Sequence, residues 1–596
     1  MLVSQEFFTE VIKDLSSAQI LFVDTETTGL SVWKEDKLFS IIIASENSPA
    51  YYFNFNPEEP LQLLNEEHLR EIAGKLFTKE KMCVFHNAKF DMHMLAKAGA
   101  PVLGEVYCTE VNARIVYNEH LSYTLDSCLS RIGLEKLDTP KKWCLENKQW
   151  RWEKQAGKKK REKVYFYNKV PLDIIVPYGV QDVVGLRSLY NYQQNELKKL
   201  DDKKILNISK LESTFTRTLY TIENTGILID KAYCNEAFDY EYNEYKKAEI
   251  EFKELTGIDF VDSEKVFEQV FQDIKDQFVY TEKGNTSFKD DVINNFNHPV
   301  VPVIQKYREH YKKAHTYYQN LSYLSDENSV IHCGFKQAGA RTGRLSCEKP
   351  NLQNIPKREE DTSVYKIRKA FIPRPGFFFV EMDYKAMEFR LMLDYAQESE
   401  LIEKVKNGHD PHQATADLCN ISRSAAKTLN FGLLYGMGVG KLSKQLNVSI
   451  EEARVFKRKY FNALPNVQAF LEKAMYAAKN RHYVFNWYGR RYQFPNPEFG
   501  YKAANSIIQG GCADVVRIAM NGCISALTPL KSKLILQVHD SLLFEVANDE
   551  AHIVPQMQEI MENAYRYISL PLAVDAKYST KSWEELVDWG DNVEKA

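Results

Sequence analysis

Nowhere does the chain carry an apolar run of the roughly 20 residues needed to cross a bilayer. The segment Met1 to Glu10 has neither a basic start with an apolar core nor an Arg-rich amphipathic pattern, so secretion and organelle import are not expected. Ten cysteines are scattered with no C-x-x-C pair and no nearby histidine pattern, which argues against structural zinc. In a long chain without a signal peptide they read as reduced thiols in a cytosolic compartment. There is no internal repeat and no long Gly/Ser or Pro linker. A basic excess is missing as well: the net charge is −4. Net charge is a sum, however, and a local basic surface is compatible with it.

What is present fits an ordinary globular protein, 44% hydrophobic and 27% charged. At 596 residues it exceeds one hydrophobic core, so two or more domains are expected. Ile20-Leu21-Phe22-Val23 reads as a buried strand ending in Asp24, and Cys83-Val84-Phe85 as a second one. The polar stretch Trp150 to Lys163 reads as an exposed loop or hairpin. Its basic tip, Lys158-Lys159-Lys160-Arg161, is either solvated or a contact to nucleic-acid phosphates. Lys198 to Lys210 is charged enough for a domain junction, and Leu211 to Asn224 and Asp239 to Glu254 have helical spacing. Glu359 to Arg390 and Lys533 to Val546 mix strand-like runs with acids, around a mostly helical region centred on Ser422 to Met437. An α/β front domain and a larger α+β rear domain follow.

In the front part, Asp24 and Glu26 fall on one side of an extended chain. Asp91 follows close on the second strand, and Tyr178 and Asp182 are spaced to share a helix face. Acids converging without His or Cys suit hard divalent cations such as Mg²⁺ or Mn²⁺. A pair of such ions activates water and stabilises a leaving oxyanion in phosphodiester cleavage, and a tyrosine beside them orients the water. Singly, each acid is more readily a surface charge than a ligand.

In the rear part, Arg423, Lys427, Phe431 and Tyr435 recur every four residues, one slowly rotating helix face about 18 Å long. Two cations lead and two rings follow, which suits a nucleotide lying along the helix; an amphipathic core helix with two solvated cations is the other reading. Gly436 and Gly438 beyond it supply a turn or hinge. Asp383 and Asp540 each follow a strand-like run, and they share a metal pair only if their strands are neighbours in one sheet.

These segments together resemble known families. The ordered set Asp24/Glu26, Asn87 to Asp91 and Tyr178/Asp182 is similar to the three motifs of proofreading exonucleases. Asp383-Tyr384-Lys385-Ala386-Met387-Glu388 resembles motif A of the A-family DNA polymerases, Arg423 to Gly436 motif B, and Gln537-Val538-His539-Asp540 motif C. Thr342 to Ser346, Pro350 to Pro356, Ile367 to Phe371, Asp410-Pro411-His412 and Asn505 to Gly510 also fit. The resemblance implies an RNase H-like exonuclease domain over 1–197, then a right-hand polymerase domain over 198–596. Its thumb would span about 205–340, its palm about 341–405 and 520–596, and its fingers about 406–519.

It also implies roles. Asp24, Glu26, Asp91 and Asp182 would hold exonuclease metals beside Tyr178, and Asp383, Asp540 and the Tyr384 carbonyl the polymerase metals, two Mg²⁺ or Mn²⁺ per site. Arg423, Lys427 and His412 would contact the triphosphate, with Lys427 protonating pyrophosphate. Phe431 would stack near the sugar, and Tyr435 with Glu388 would exclude a 2′-hydroxyl. Arg344, Arg368, Asn505, Gln509 and His539 would touch DNA, four of them (Arg344, Asn505, Gln509 and His539) on the minor-groove side, where acceptors recur in every Watson–Crick pair. The implied partners are primer–template DNA and dNTPs, with the chain a monomer in the cytoplasm. No 5′-nuclease domain is expected ahead of the exonuclease. Ser541 stands where most relatives have a third acid, Lys385-Ala386-Met387 replaces Ser-Gln-Ile, and Tyr501 replaces a common arginine. These departures border the nascent pair and leave room for unusual selectivity, such as the modified purine some phage members favour. A single-subunit RNA polymerase is disfavoured by Glu388 and the exonuclease acids. A silent DNA-binding subunit is disfavoured by the intact Asp383, Asp540, Lys427 and Arg423.

Overall fold

The run Ile20-Leu21-Phe22-Val23 becomes the centre of the front region. It lies in β1 (Ile20–Thr27), the middle strand of a sheet with β2 (Leu38–Ser45), β3 (Tyr51–Asn54), β4 (Met82–Phe85) and β5 (Glu105–Cys108), ordered β3-β2-β1-β4-β5. Pairing is antiparallel for β1–β2 and β2–β3 and parallel for β1–β4 and β4–β5. The computed structural model describes residues 1–154, 161–200, 203–281, 284–337, 339–357 and 363–591. Lys158, Lys159, Lys160 and Glu359, singled out above, lie outside the described residues.

Both faces of this sheet are covered, so its strands read as continuous apolar runs and not as alternating ones. Successive residues still point opposite ways. Leu21 and Val23 pack with helix α1 (Ala88–Lys97) on one side, while Phe22, Ile42 and Val84 pack with helix α2 (Leu172–Lys199) on the other. Gly179 lets α2 come close, because a Cβ there would stand 3.0 Å from Ile42 Cγ1. Between these helices the polar stretch forms an antiparallel hairpin of β6 (Trp150–Lys154) and β7 (Arg161–Tyr165).

Past the charged junction, α3 (Lys203–Thr225) follows α2 almost at once. The next helix, α4 (Lys231–Thr256), starts where the Asp230 side chain accepts from the Tyr233 amide at 2.9 Å and stops at Gly257, whose φ is +73°. It packs on α5 (Val301–Tyr311) through Phe252, Ile304 and Tyr307.

The rear sheet gathers β8 (Phe377–Tyr384), β9 (Lys533–Val538), β10 (Ser541–Ala547), β11 (Val574–Ser579) and β12 (Val587–Asp588), antiparallel throughout in the order β9-β10-β8-β11-β12. Helix α6 (Pro411–Cys419) packs beside α7 (Arg423–Leu434), which Ser422 caps by accepting from the Ala425 amide at 3.2 Å. The long helix α8 (Ala503–Leu527) shares the rear core with β8 to β10. An α/β front region thus precedes a larger α+β rear region.

Two candidate carboxylate sites

Asp24 and Glu26 have the parity of Phe22, so β1 presents them on the face that α2 covers. Tyr178 and Asp182, one turn apart on α2, meet them there. Carboxylate oxygens of Asp24, Glu26 and Asp182 lie within 4.8 Å of one another. Asp91 arrives from α1, on the opposite face, and its Oδ1 accepts from Thr25 Oγ1 at 2.6 Å. It stands outside the close group of three, although the Asp24 charge acts on it.

Burial comes first, and repulsion second for most of them, in raising these carboxyl pKa values. Asp24 is raised to about 7. Glu26 and Asp91 are pushed well above the ordinary range, and Asp182 is raised by burial against the pull of Lys136. Burial likewise keeps the Tyr178 hydroxyl protonated. A group of acids this costly to ionise alone, all oxygen donors, fits a hard divalent cation.

Lys136 was not legible as part of this site. Its Nζ donates to Asp182 Oδ2 at 2.6 Å and stands 5.0 Å from the Tyr178 ring centroid. Burial works against its charge, but Asp182, Asp24 and Glu26 outweigh it and raise its pKa. A lone lysine in a polar loop carries no sequence signal.

At the rear, Asp383 and Asp540 do come together, by a different route from the one expected. Strands β8 and β9 are not neighbours: β10 lies between them. Asp540 sits in the β9–β10 turn, and β10 pairs with β8 so that Asp383 faces Ser541. The Tyr384 amide donates to the Asp540 carbonyl at 3.4 Å. Burial and then Asp383 raise the Asp540 carboxyl to about 6. Lys357 donates to Asp383 Oδ2 at 2.9 Å and pairs with Glu381 at 3.3 Å. Its place directly after the Pro350 to Pro356 segment was the only hint of this.

On α7, Arg423 and Lys427 are exposed, and Arg423 makes a bidentate pair with Asp410, both distances 3.0 Å. His412 is buried, with Nδ1 3.0 Å from Asn430 Nδ2 and its ring centroid 5.4 Å from that of Phe431. Tyr435 caps α7, and its hydroxyl donates to Glu388 Oε2 at 2.8 Å while accepting from Gln509 Nε2 at 2.9 Å. Arg344 pairs with the other Glu388 oxygen. His539 is exposed with φ +57°, and the Asn505 Oδ1 is buried without a hydrogen-bond partner. The Tyr384 side chain turns into the core, donating to the Met561 carbonyl at 2.7 Å.

Arg368 stands at the wall of the rear cleft that Asp383 and Asp540 also line. It is 4% exposed, its guanidinium 4.0 Å from the Trp583 ring centroid, 3.3 Å from Glu381 and 3.0 Å from the Pro356 carbonyl. Those partners bury most of its side chain behind the cleft wall.

Comparison with known proteins agrees with this layout. The family described as DNA polymerase family A matches residues 232–585, and that described as 3′-5′ exonuclease matches residues 1–198. DNA polymerase I of Borreliella burgdorferi is 28% identical over 604 residues, 97% of this chain and 63% of that protein. DNA polymerase I of Pseudomonas aeruginosa is 28% identical over 621 residues, 98% of this chain and 66% of that protein. Thermostable DNA polymerase I of Thermus aquaticus is 33% identical over 392 residues, 61% of this chain and 47% of that protein. The chain therefore spans less than two thirds of the length of these relatives. The solved POL domain of Pol1 from M. smegmatis, in complex with DNA primer-template and dNTP, shares the fold with a TM-score of 0.81. It is 24% identical, over 98% of this chain and 99% of that one. With the polymerase match covering more than half of its length, this chain belongs to DNA polymerase family A and carries a 3′-5′ exonuclease domain in front.

Proposed function

We propose that the chain extends a primer 3′ end along a DNA template with dNTPs, and that its front region removes mispaired 3′ nucleotides. The observation that carries the reading is the juxtaposition of Asp383 and Asp540 at one end of the rear sheet, lining a cleft of about 1030 Å³. The M. smegmatis relative was solved with primer-template and dNTP in complex, which supports the same partners here.

Polymerase and exonuclease domains of these families depend on divalent metal ions. We assign Mg²⁺ or Mn²⁺, two per site, to Asp383, Asp540 and the Tyr384 carbonyl in the rear and to Asp24, Glu26, Asp91 and Asp182 in front. Such ions acidify the attacking hydroxyl or water and offset charge on the leaving oxygen. The residues of the chain do the rest. Arg423 and Lys427 bind the triphosphate electrostatically, with Lys427 giving a proton to pyrophosphate. His412 joins them at the triphosphate, and Phe431 beside it stacks near the sugar. Glu388 and Tyr435, already bonded to each other, wall off the space of a 2′-hydroxyl. Arg344, Asn505, Gln509 and His539 face the primer-template end. In the front site Tyr178 orients water. We place the exonuclease in 1–197 and the polymerase in 198–596. Its thumb takes about 205–340, its palm about 341–405 and 520–596, and its fingers about 406–519.

The test is extension of a matched primer by Asp383→Ala and Asp540→Ala. Each is expected to lose extension while DNA binding, read by fluorescence anisotropy, persists. Near-normal extension by either variant would remove the assignment.

A further inference from the structure

The β6–β7 hairpin contributes to neither carboxylate group, yet its two faces differ in kind. Cross-strand partners of an antiparallel pair share a face. The register sets Trp150 against Tyr165 and Trp152 against Lys163, and Arg161 falls on the same side by the period of two. That face carries Trp150, Trp152, Tyr165, Arg161 and Lys163, with no carboxylate among the described residues. The other carries Arg151, Glu153, Glu162 and Val164. Trp152 is 55% exposed, an unusual place for so large a ring. The Trp150 and Trp152 centroids are 5.7 Å apart, and Lys163 Nζ stands 3.8 Å from the first and 5.5 Å from the second.

The base of this face leads to the front site. From its base, Tyr165 and Tyr167 have centroids 6.5 Å apart, and Tyr167 and Tyr178 6.0 Å, so a row of rings runs from Trp152 to the tyrosine of the front cluster. From the opposite face of the hairpin, Glu162 lines the cleft shared by Lys312, Thr316, Asp383 and Asp540.

We propose that the aromatic and basic face of this hairpin is a rail for single-stranded DNA, guiding an unpaired primer 3′ end into the front site. The proposal rests on the reading of Asp24, Glu26 and Asp182 as the exonuclease centre. Exposed rings stack on any base and cations meet phosphates, which serves strands of every sequence. A paired end has its bases already stacked on each other, so the rings engage an end only after it has frayed.

The test compares Trp150→Ala/Trp152→Ala with Trp152→Phe, which keeps a ring, and with Arg151→Ala on the other face. Exonuclease kcat and KM are measured on a single-stranded oligonucleotide long enough to span the hairpin and on a trinucleotide too short to reach it. Excision from a mismatched primer-template is measured alongside. The double variant is expected to raise KM for the long strand by about tenfold or more, slow mismatch excision, and leave kcat and trinucleotide hydrolysis unchanged. Trp152→Phe and Arg151→Ala are expected to stay near wild type. Unchanged KM and excision in the double variant would overturn the rail, as would an equal loss on the trinucleotide. Absence of hydrolysis by the wild-type chain on every substrate would instead overturn the exonuclease reading beneath it.

Discussion

Glu388 is 9% exposed and divided between Arg344 on one oxygen and the Tyr435 hydroxyl on the other. Gln509 fixes that hydroxyl in turn. On the proposed reading these contacts form a wall that adds a cost to the wrong sugar, a stronger filter than a withheld contact. Glu388→Ala is expected to lower the preference for dATP over ATP by about 10²-fold, equivalent to roughly 3 kcal/mol of differential transition-state binding. The measurement is kcat/KM for both nucleotides. An equal loss for both would mean that Glu388 merely holds Arg344. At this scale the sequence foretold placement where a side chain sits in an ordered motif: Asp383 and Asp540 meet, and Arg423 and Lys427 share α7. It did not announce that Trp583 and Glu381 would enclose most of Arg368, because both partners are brought near only by folding. It was silent on Lys136, whose partner Asp182 is brought near only by folding.

Between elements, parity explains the front site. Strand β1 gives Asp24 and Glu26 to the α2 face and Thr25 to the α1 face, so Asp91 is tied to Thr25 and not drawn into the close group. The period of two foretold the first part, but the split around the strand needs to be known from which helix covers which face. In the rear sheet the runs before Asp383 and Asp540 were legible as strands, and Lys533 to Val546 reached into β10, but the place of β10 between the other two was not legible, since strand order is a long-range property. The front cluster also sets a pH dependence. The folded pKa of Asp24, about 7, lies above its ordinary value of 3.8, so its contribution to stability is full below about pH 4 and is lost as pH rises through 7. With EDTA, the melting temperature is expected to fall from pH 5 to pH 8. Mn²⁺ is expected to raise it more at pH 8, because the ion binds the ionised carboxylates. Asp24→Asn should flatten both trends in differential scanning calorimetry. An ion-induced gain that is equal at the two pH values would contradict the account.

Across the whole molecule, front and rear regions are joined through buried charge. Glu223 on α3 receives Lys89, the His93 Nε2 at 2.9 Å and the Phe335 amide at 2.6 Å, and Trp33 stacks on His332 at 3.9 Å beside them. Burial opposes ionisation of Glu223, but Lys89 and His93 prevail and lower its pKa. Glu223→Ala would leave a buried lysine uncompensated, at about 3–5 kcal/mol. Calorimetry is expected to show a lower and broader transition for it, with Glu223→Gln intermediate; a wild-type transition would contradict that. A second seam exchanges the Asn118 and Gln493 amides across the regions, at 3.2 and 3.1 Å. A junction near residue 200 was legible from charge, but these seams were not, because each joins residues more than 100 positions apart. The central claim is that one chain holds two separate phosphoryl-transfer sites, and one gel assay tests it. A primer with a mispaired 3′ end is incubated with template, Mg²⁺ and dNTPs, and its length is followed over time. The wild type is expected to shorten and then extend it, Asp383→Ala only to shorten it, and Asp24→Ala/Glu26→Ala to leave the mismatch yet extend a matched primer normally. Extension by Asp383→Ala, or continued shortening by the double variant, would contradict the account.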